Sequence, residues 1–430
     1  MVERIFITPF QKFAKVESLS GFLLFLATII ALIWANSPLQ DYYHSLWQHK
    51  VGFTTGNFAL YKPLILWIND GLMAIFFFLI GLELKRELMI GELDTLRKAA
   101  FPLFAAIGGI LFPVGLFIFL NKNPETISGW GMPMAADIAF SLAILNILGK
   151  RIPVSLKVFL TAFAIIDDIG AVLVIAIFYS TGIEWSMIVL AAIPLLILAW
   201  LSYKRIHSKY LFLILGIIVW FLFLKSGIHP TVAGILLAFT VPLRQKIDVK
   251  AYANKLKYIS DSFRNEQDHS SFILSKKQIA QIDDLEEISD DVQSPLQQLE
   301  HRLHNWVAYF IVPLFALANA GVSINANMNI EFPLIINTAI CLIVGNFVGV
   351  TLFSYLSLRL KITQLPQNVV FPHILGIGFL AGVGFTMSIF IANLAYASNP
   401  VYIDSAKIGI LLGSIISGAS GFLILRLFKS

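Results

Sequence analysis

Two adjacent acids, Asp167 and Asp168, lie near the middle of an apolar run, residues 153–180, whose centre reads Ala164-Ile-Ile-Asp-Asp-Ile-Gly170. A helix needs roughly 20 consecutive apolar residues to cross a bilayer, and this run exceeds that length. One ionisable group at the centre of such a helix costs about 2.5–3.5 kcal/mol on insertion scales. Two in succession are not kept for packing, and the chemistry that fits that depth is the binding of an ion or a proton.

The rest of the chain is of the same kind. Hydrophobic residues make up 57% and charged residues 13% of its 430 positions, and the mean hydropathy is +0.79. This is the composition of a polytopic membrane protein rather than a soluble one. The net charge of +5 does not indicate a nucleic-acid partner, because the basic residues fall in short loops between apolar runs. Cys341 is the only cysteine, so no disulfide framework within the chain is possible.

Twelve apolar runs can be delimited, at 19–35, 64–84, 99–120, 127–148, 153–180, 185–202, 210–224, 229–243, 305–321, 333–358, 370–396 and 405–426. They are numbered one to twelve in that order and predict an all-α polytopic fold of twelve transmembrane helices. The first is somewhat long for a signal peptide and is followed by many others, so it reads as a span. Before it, Phe6, Phe10, Phe13, Lys12 and Lys15 suggest a segment lying on the membrane surface, a frayed tail being the alternative. Lys and Arg divide 26 to 5 between the two sides, and 17 to 5 without the long loop 244–304. That bias puts both termini in the cytoplasm of a bacterial-type inner membrane. Loop 244–304, with the acidic stretch Asp283-Asp-Leu-Glu-Glu-Ile-Ser-Asp-Asp291, reads as a solvated cytoplasmic insert built of short surface helices.

A third deep acid, Asp137, lies four residues after Pro133 in run four. Proline removes a backbone donor and clashes with the preceding turn. A broken helix beside a buried acid is tolerated where the backbone is protein-buried or lines a wet cavity. Run eleven carries a second breakable stretch, Gly376-Ile-Gly-Phe-Leu-Ala-Gly-Val-Gly-Phe-Thr-Met-Ser388. Gly382, Gly384, Thr386 and Ser388 there offer close backbone approach, free carbonyls and hydroxyls. Runs four and eleven point in opposite directions, and interrupted spans in corresponding places of two halves indicate an inverted repeat with the site between them. Asp70 reads as a headgroup contact or helix cap, and Glu83, Lys85, Arg86 and Glu87 as an interfacial charge network.

At these residues the chain resembles the NhaA family of Na+/H+ antiporters. The matching stretches are Gly81-Leu-Glu-Leu-Lys-Arg-Glu87, Ala135-Ala-Asp-Ile-Ala-Phe140, Ala164-Ile-Ile-Asp-Asp-Ile-Gly170, Ser226-Gly-Ile-His229, Leu314-Phe-Ala-Leu-Ala-Asn-Ala-Gly321 and Gly384-Phe-Thr-Met-Ser-Ile-Phe390. The resemblance implies one membrane domain over 1–430, with core repeats at 99–180 and 333–426 and with runs four and eleven unwound where they cross. It implies that Asp167 and Asp168 are the ion and proton carboxylates and the Na+ ligands, Asp168 the more direct of the two, and that Asp137, a third ion- and proton-site acid, offsets the positive helix ends. It ties Glu83, Glu87, Glu300, His301 and His304 to pH activation and the cytoplasmic funnel. His229 aligns with a family histidine, although a hydrogen-bonded helix-end histidine is the simpler reading. The transported ions would be Na+, with Li+ open, and H+. No cofactor is implied, and a homodimer through the 36–63 loop (Tyr42, Tyr43, Phe53, Thr54, Thr55) is.

Two positions depart from the family pattern. Ala136 stands where a threonine is usual, and Asn346 where run ten usually has a lysine. The remaining cations Lys157 and Lys407 sit near run ends. Asparagine can only hydrogen-bond, so Asp167 is expected to carry the proton directly. A sodium-coupled symporter would need an organic-substrate pocket that the sequence does not suggest. An intramembrane aspartyl protease would need a Gly-x-Gly-Asp context that it lacks.

Overall fold

A computed structural model describes residues 9–55, 58–91, 96–180, 182–204, 208–245, 247–265, 275–323 and 329–428. Phe6, and the side chains of Phe10, Lys12, Phe13 and Lys15, lie outside the described residues, as do those of Phe53, Thr54 and Thr55. Every apolar run is helical. Among the described residues, seven helices are long and apolar enough to cross a bilayer, and two bent pairs raise that number to nine. Runs seven and eight form the shorter apolar helices Tyr210–Ser226 and Pro230–Thr240.

Burial separates a centre from a periphery. In Phe371–Ala395 (run eleven) 89% of the most apolar window is buried inside the protein, and in Val154–Phe178 (run five) 61%. In Trp185–Tyr203 (run six) the share is 17%, so that helix faces its surroundings. Runs three and ten cross closely at Gly108 and Gly349: a Cβ on either would lie 2.2 Å from the other's carbonyl oxygen. No larger residue fits that contact.

Among the described residues one element is not helical. Lys50–Thr55 and Phe58–Pro63 pair antiparallel, from Lys50 opposite Pro63 to Thr55 opposite Phe58. The strands are rich in Val, Phe, Thr and Tyr, which suit a pleated ribbon. Trp67 ties the hairpin to run two by donating from its indole Nε1 to Val51 O at 3.0 Å. The hairpin joins the start of Leu64–Ile90, and near the other end of that helix Arg86 pairs with Glu300, just after the insert, so hairpin and insert mark its two ends.

Within the insert, Val249–Asn265 packs against Lys276–Val292, which carries the acidic stretch. Tyr252 Oη meets Ser289 Oγ at 3.3 Å, and Gln281 donates to Ser262 Oγ at 2.7 Å. The insert ends earlier than its sequence suggests. Helix begins again at Pro295, capped by a reciprocal Ser294–Gln297 box, and continues to Asn319 through run nine. Glu300, His301 and His304 therefore stand on the helix of run nine, not on a loop. Hydropathy hid this extension because its residues are polar, whereas the capping signal that starts it is local. Among the described residues three helices contain π segments, at Trp67–Leu72, Val307–Ile311 and Cys341–Gly345. Such bulges are frequent at functional sites.

Candidate functional site

Two broken runs meet at the centre. Run four comprises a 3₁₀ helix, Pro124–Met134, an extended link at 135–137, and the α-helix Ile138–Ile147, the two helices meeting at 46°. Run eleven comprises Phe371–Ala381 and Phe385–Ala395, with helical hydrogen bonding lapsing between them. The links pass backbone to backbone, and Asp137 N donates to Val383 O at 2.6 Å. Glycine is required at this crossing. A Cβ on Gly382 would sit 2.1 Å from Leu342 O, and one on Gly384 would sit 2.6 Å from Ala135 O.

Breaking two helices frees their terminal N–H and C=O groups inside the protein, and each must find a partner. Asp137 serves two N-termini at once. Its Oδ1 accepts from Phe140 N at 3.2 Å, capping Ile138–Ile147. Its Oδ2 accepts from Thr386 N at 3.2 Å and from Thr386 Oγ1 at 2.7 Å, at the start of Phe385–Ala395. A carboxylate is favoured where two positive helix ends converge. The freed carbonyls go to neutral donors: Ser388 Oγ to Met132 O at 2.7 Å, Asn346 Nδ2 to Pro133 O at 2.8 Å, and Ser141 Oγ to Leu380 O at 3.0 Å. Replacing an N-cap by Ala costs about 0.5–2 kcal/mol. Asp137→Ala, which removes two caps, is expected to lower stability by about 2–3 kcal/mol. Thermal melting in detergent checks this, and an unchanged melting temperature would contradict the double-cap role.

Asp167 and Asp168 project from the unbroken helix Val154–Phe178 and are 1% and 3% exposed. Their surroundings differ. Asp167 Oδ2 accepts from Ala136 N at 2.8 Å, in the link of run four. Its Oδ1 is buried with no hydrogen-bond partner among the described residues. Ala136 thus holds Asp167 through its backbone, although its side chain supplies no hydroxyl. Asp168 lines a cavity of about 70 Å³ together with Asp137, Thr386, Ala136, Glu83 and His304. One open space therefore joins the central acids to residues at the insert face. Among the described residues no three His, Cys, Asp or Glu side chains converge as a metal-holding cluster. A cation at Asp168 would share that carboxylate with hydroxyl, carbonyl or water oxygens, the ligands that hard cations prefer.

Glu83 and His304, which line the cavity, belong to a charge cluster. His304 Nδ1 is 3.6 Å from Glu83 Oε1, and Arg86 bridges Glu87, at 2.7 Å, and Glu300. Burial is the main effect on Glu300 and pushes its carboxyl up to about 7, outweighing the pull of Arg86. Lys85 caps the helix of run eight, donating to Phe239 O and Val241 O at 2.6 Å each. His301 is exposed and makes no ion pair among the described residues, so it stands apart from Glu300 and His304. Asp70 pairs with Lys62 at 3.1 Å rather than capping a helix, and His229 joins Thr231 Oγ1 at 2.8 Å at the start of Pro230–Thr240.

Sequence reasoning gave no role to several groups. Tyr179 donates to Ser128 O at 2.7 Å and Tyr396 to Thr126 O at 2.6 Å, anchoring the 3₁₀ helix. Asn69, Asn319 and Asn393 join through their side-chain amides. The available signal was an uncharged amide inside an apolar run, which is expensive unless hydrogen-bonded.

A family model described as Na+/H+ antiporter 1 matches residues 11–425. The Na+/H+ antiporter NhaA of Oleidesulfovibrio alaskensis is 46% identical over 426 residues, covering 98% of this chain and 94% of the relative. The NhaA 1 protein of Saccharophagus degradans is 43% identical over 424 residues, covering 98% and 91%. The NhaA of Helicobacter pylori is 44% identical over 417 residues, covering 96% and 94%.

Proposed function

The chain belongs to the Na+/H+ antiporter 1 family, and from that premise we propose that it exchanges Na+ against H+ across a membrane through Asp168 and Asp167. The observation that carries the assignment is the cavity Asp168 shares with Asp137, Thr386, Glu83 and His304. Na+ reaches Asp168 past Glu83 and is completed by neutral oxygens such as the Thr386 hydroxyl. A proton competes for the same carboxylate oxygens, and Asp167, with an unpartnered Oδ1, holds the other titrating position. Adjacent carboxylates share their protons as a pair. A site neutralised by either ligand lets the crossed runs rock, whereas an empty, charged one does not. Asp137 stays with the helix ends it caps.

The arrangement in the membrane is twelve crossings with both termini cytoplasmic, in a bacterial inner membrane, so that Na+ leaves and H+ enters. The division of Lys and Arg supports this orientation. The close crossing of Gly108 with Gly349 supports the pairing of repeats 99–180 and 333–426. Li+, another hard cation, is accepted at the same oxygens. The hairpin, whose Val51 and Tyr61 are exposed, suits contact with a second copy.

In reconstituted vesicles, Na+ is expected to collapse a preformed pH gradient while K+ does not. A gradient insensitive to both Na+ and Li+ would contradict the assignment.

The Glu83–Arg86–Glu87–Glu300–His304 cluster is the pH-responsive element. Glu300 is neutral well below pH 7 and ionises as pH rises through about 7. Ionisation strengthens its pair with Arg86 and its repulsion of Glu83 and Glu87. Because the folded-state value is raised, the stability this group favours is present at low pH and lost as pH rises through 7. Glu300→Gln is expected to move the half-activation pH by about one unit. The rate of Na+-driven pH-gradient collapse from pH 6 to 9 measures it, and a superimposable profile would remove Glu300 from regulation.

A further inference from the structure

The cavity reaches only the first turn of Phe385–Ala395. Along Phe385–Ala395 it is lined by Thr386 and Met387. One turn further, Phe390 is buried between Phe77, Phe315 and His229, with ring centroids 5.9, 6.2 and 5.1 Å away. The next turn carries Asn393, whose amide donates to Asn319 Oδ1 at 2.8 Å. Asn319, 1% exposed, also exchanges two hydrogen bonds with Asn69, at 3.2 and 2.9 Å. At 1.5 Å per residue Asn393 lies about 10 Å beyond Thr386, toward the hairpin face.

The three amides come from three helices. Asn69 lies in the π segment of run two, Asn319 ends run nine and Asn393 belongs to the second half of run eleven. Two of those runs line the cavity opposite run eleven, through Glu83 and Val312. The contact from Asn393 therefore ties a broken, ion-binding run to a pair of helices that flank it. An aromatic layer alone excludes water but has no defined register. Neutral amide bonds set a register, and water can replace them one for one when they part, so little is lost on opening.

We propose that Asn69, Asn319 and Asn393 form the latch that closes the ion site on the hairpin face, with Asn319 as its hub. The proposal rests on the exchange reading above. Asn319 is a positioning residue: it does not touch the ion, but holds run eleven in the arrangement whose cavity reaches the insert face. Opening breaks the Asn393–Asn319 bond, while the Asn69–Asn319 pair moves as one piece.

The test uses the full chain carrying Cys341→Ser and Leu394→Cys, in vesicles with the hairpin face outward. A membrane-impermeant maleimide reports access to the half-buried position 394, and pH-gradient collapse reports exchange. Asn319→Ala is expected to raise the labelling rate about five-fold. It should raise the Na+ concentration for half-maximal exchange from the insert face by a similar factor, because fewer molecules occupy the competent state. Asn393→Ala, which spares the Asn69–Asn319 pair, should change both in the same direction and serves if Asn319→Ala does not fold. Exchange-competent variants with unchanged labelling and unchanged sodium dependence would overturn the latch alone. A parent chain that labels but shows no Na+-driven exchange would overturn the transport reading beneath it.

Discussion

Asp168→Asn is expected to reduce Na+-driven exchange at least 100-fold while leaving the protein folded. The substitution keeps size and shape, and the carboxylate it removes faces the cavity with no hydrogen bond that any described residue supplies. Folding therefore loses little. On the exchange reading, function loses a negative group that is open to the cavity and, among the described residues, free of hydrogen-bond partners. An amide oxygen can still coordinate a cation, but it cannot neutralise its charge or take up a proton at physiological pH. Asp137 cannot substitute, because its oxygens are held by Phe140 N, Thr386 N and Thr386 Oγ1. Sodium titration of pH-gradient collapse, beside a melting curve, separates the two effects. Residual exchange above a tenth of wild type would move the ion site away from Asp168.

The second large effect concerns charge movement. Asn346 is 1% exposed and gives its amide to Pro133 O at 2.8 Å and to Leu342 O at 3.4 Å. It meets the negative end of the 3₁₀ helix with a neutral donor, and among the described residues no cation pairs with Asp167. On the exchange reading, Asp167 and Asp168 together carry one proton back for each Na+ that leaves Asp168, so one positive charge moves each way. Exchange by the wild type should then be indifferent to membrane potential. Asn346→Lys adds an amine that gives up its proton when Na+ binds and regains it, paired with ionised Asp167, in the returning state, so that state carries one more proton. One elementary charge across 100 mV is worth about 2.3 kcal/mol, a driving factor of about 50-fold. Exchange by Asn346→Lys should accelerate under an inward-negative potential, and Asn346→Gln, which keeps the amide, should not. Equal voltage responses in all three proteins would refute this role for position 346.

Much of the site could be read from local sequence, and the part that could not has a common cause. Asp167 and Asp168 declare themselves by their cost in an apolar run, and Pro133 beside Asp137 marks a break. The double cap could not be read, because Thr386 lies 249 positions from Asp137. The amide latch was hidden likewise, since Asn69 and Asn319 are 250 positions apart. Asn319 stood in a recognised stretch, yet a single asparagine there does not reveal its partners. The helix starting at Pro295 was legible in Ser294-Pro-Leu-Gln297, but a reading that begins from hydropathy starts the run at 305. The π segments carry no comparable local signal, because they answer to packing between helices.

The 3₁₀ form of Pro124–Met134 has a consequence for reach. A 3₁₀ helix rises about 2.0 Å per residue, against 1.5 Å for an α-helix. Its 11 residues therefore extend about 22 Å, where an α-helix would extend about 16 Å. With the extended link and the ten residues of Ile138–Ile147, the path exceeds the roughly 30 Å of hydrocarbon that the proposed twelve-crossing arrangement would have it traverse. Such a segment cannot stand upright, and must slant or fold across its neighbours. Surplus length is what lets its extended link lie across that of run eleven while Tyr179 and Tyr396 anchor the 3₁₀ helix through Ser128 O and Thr126 O.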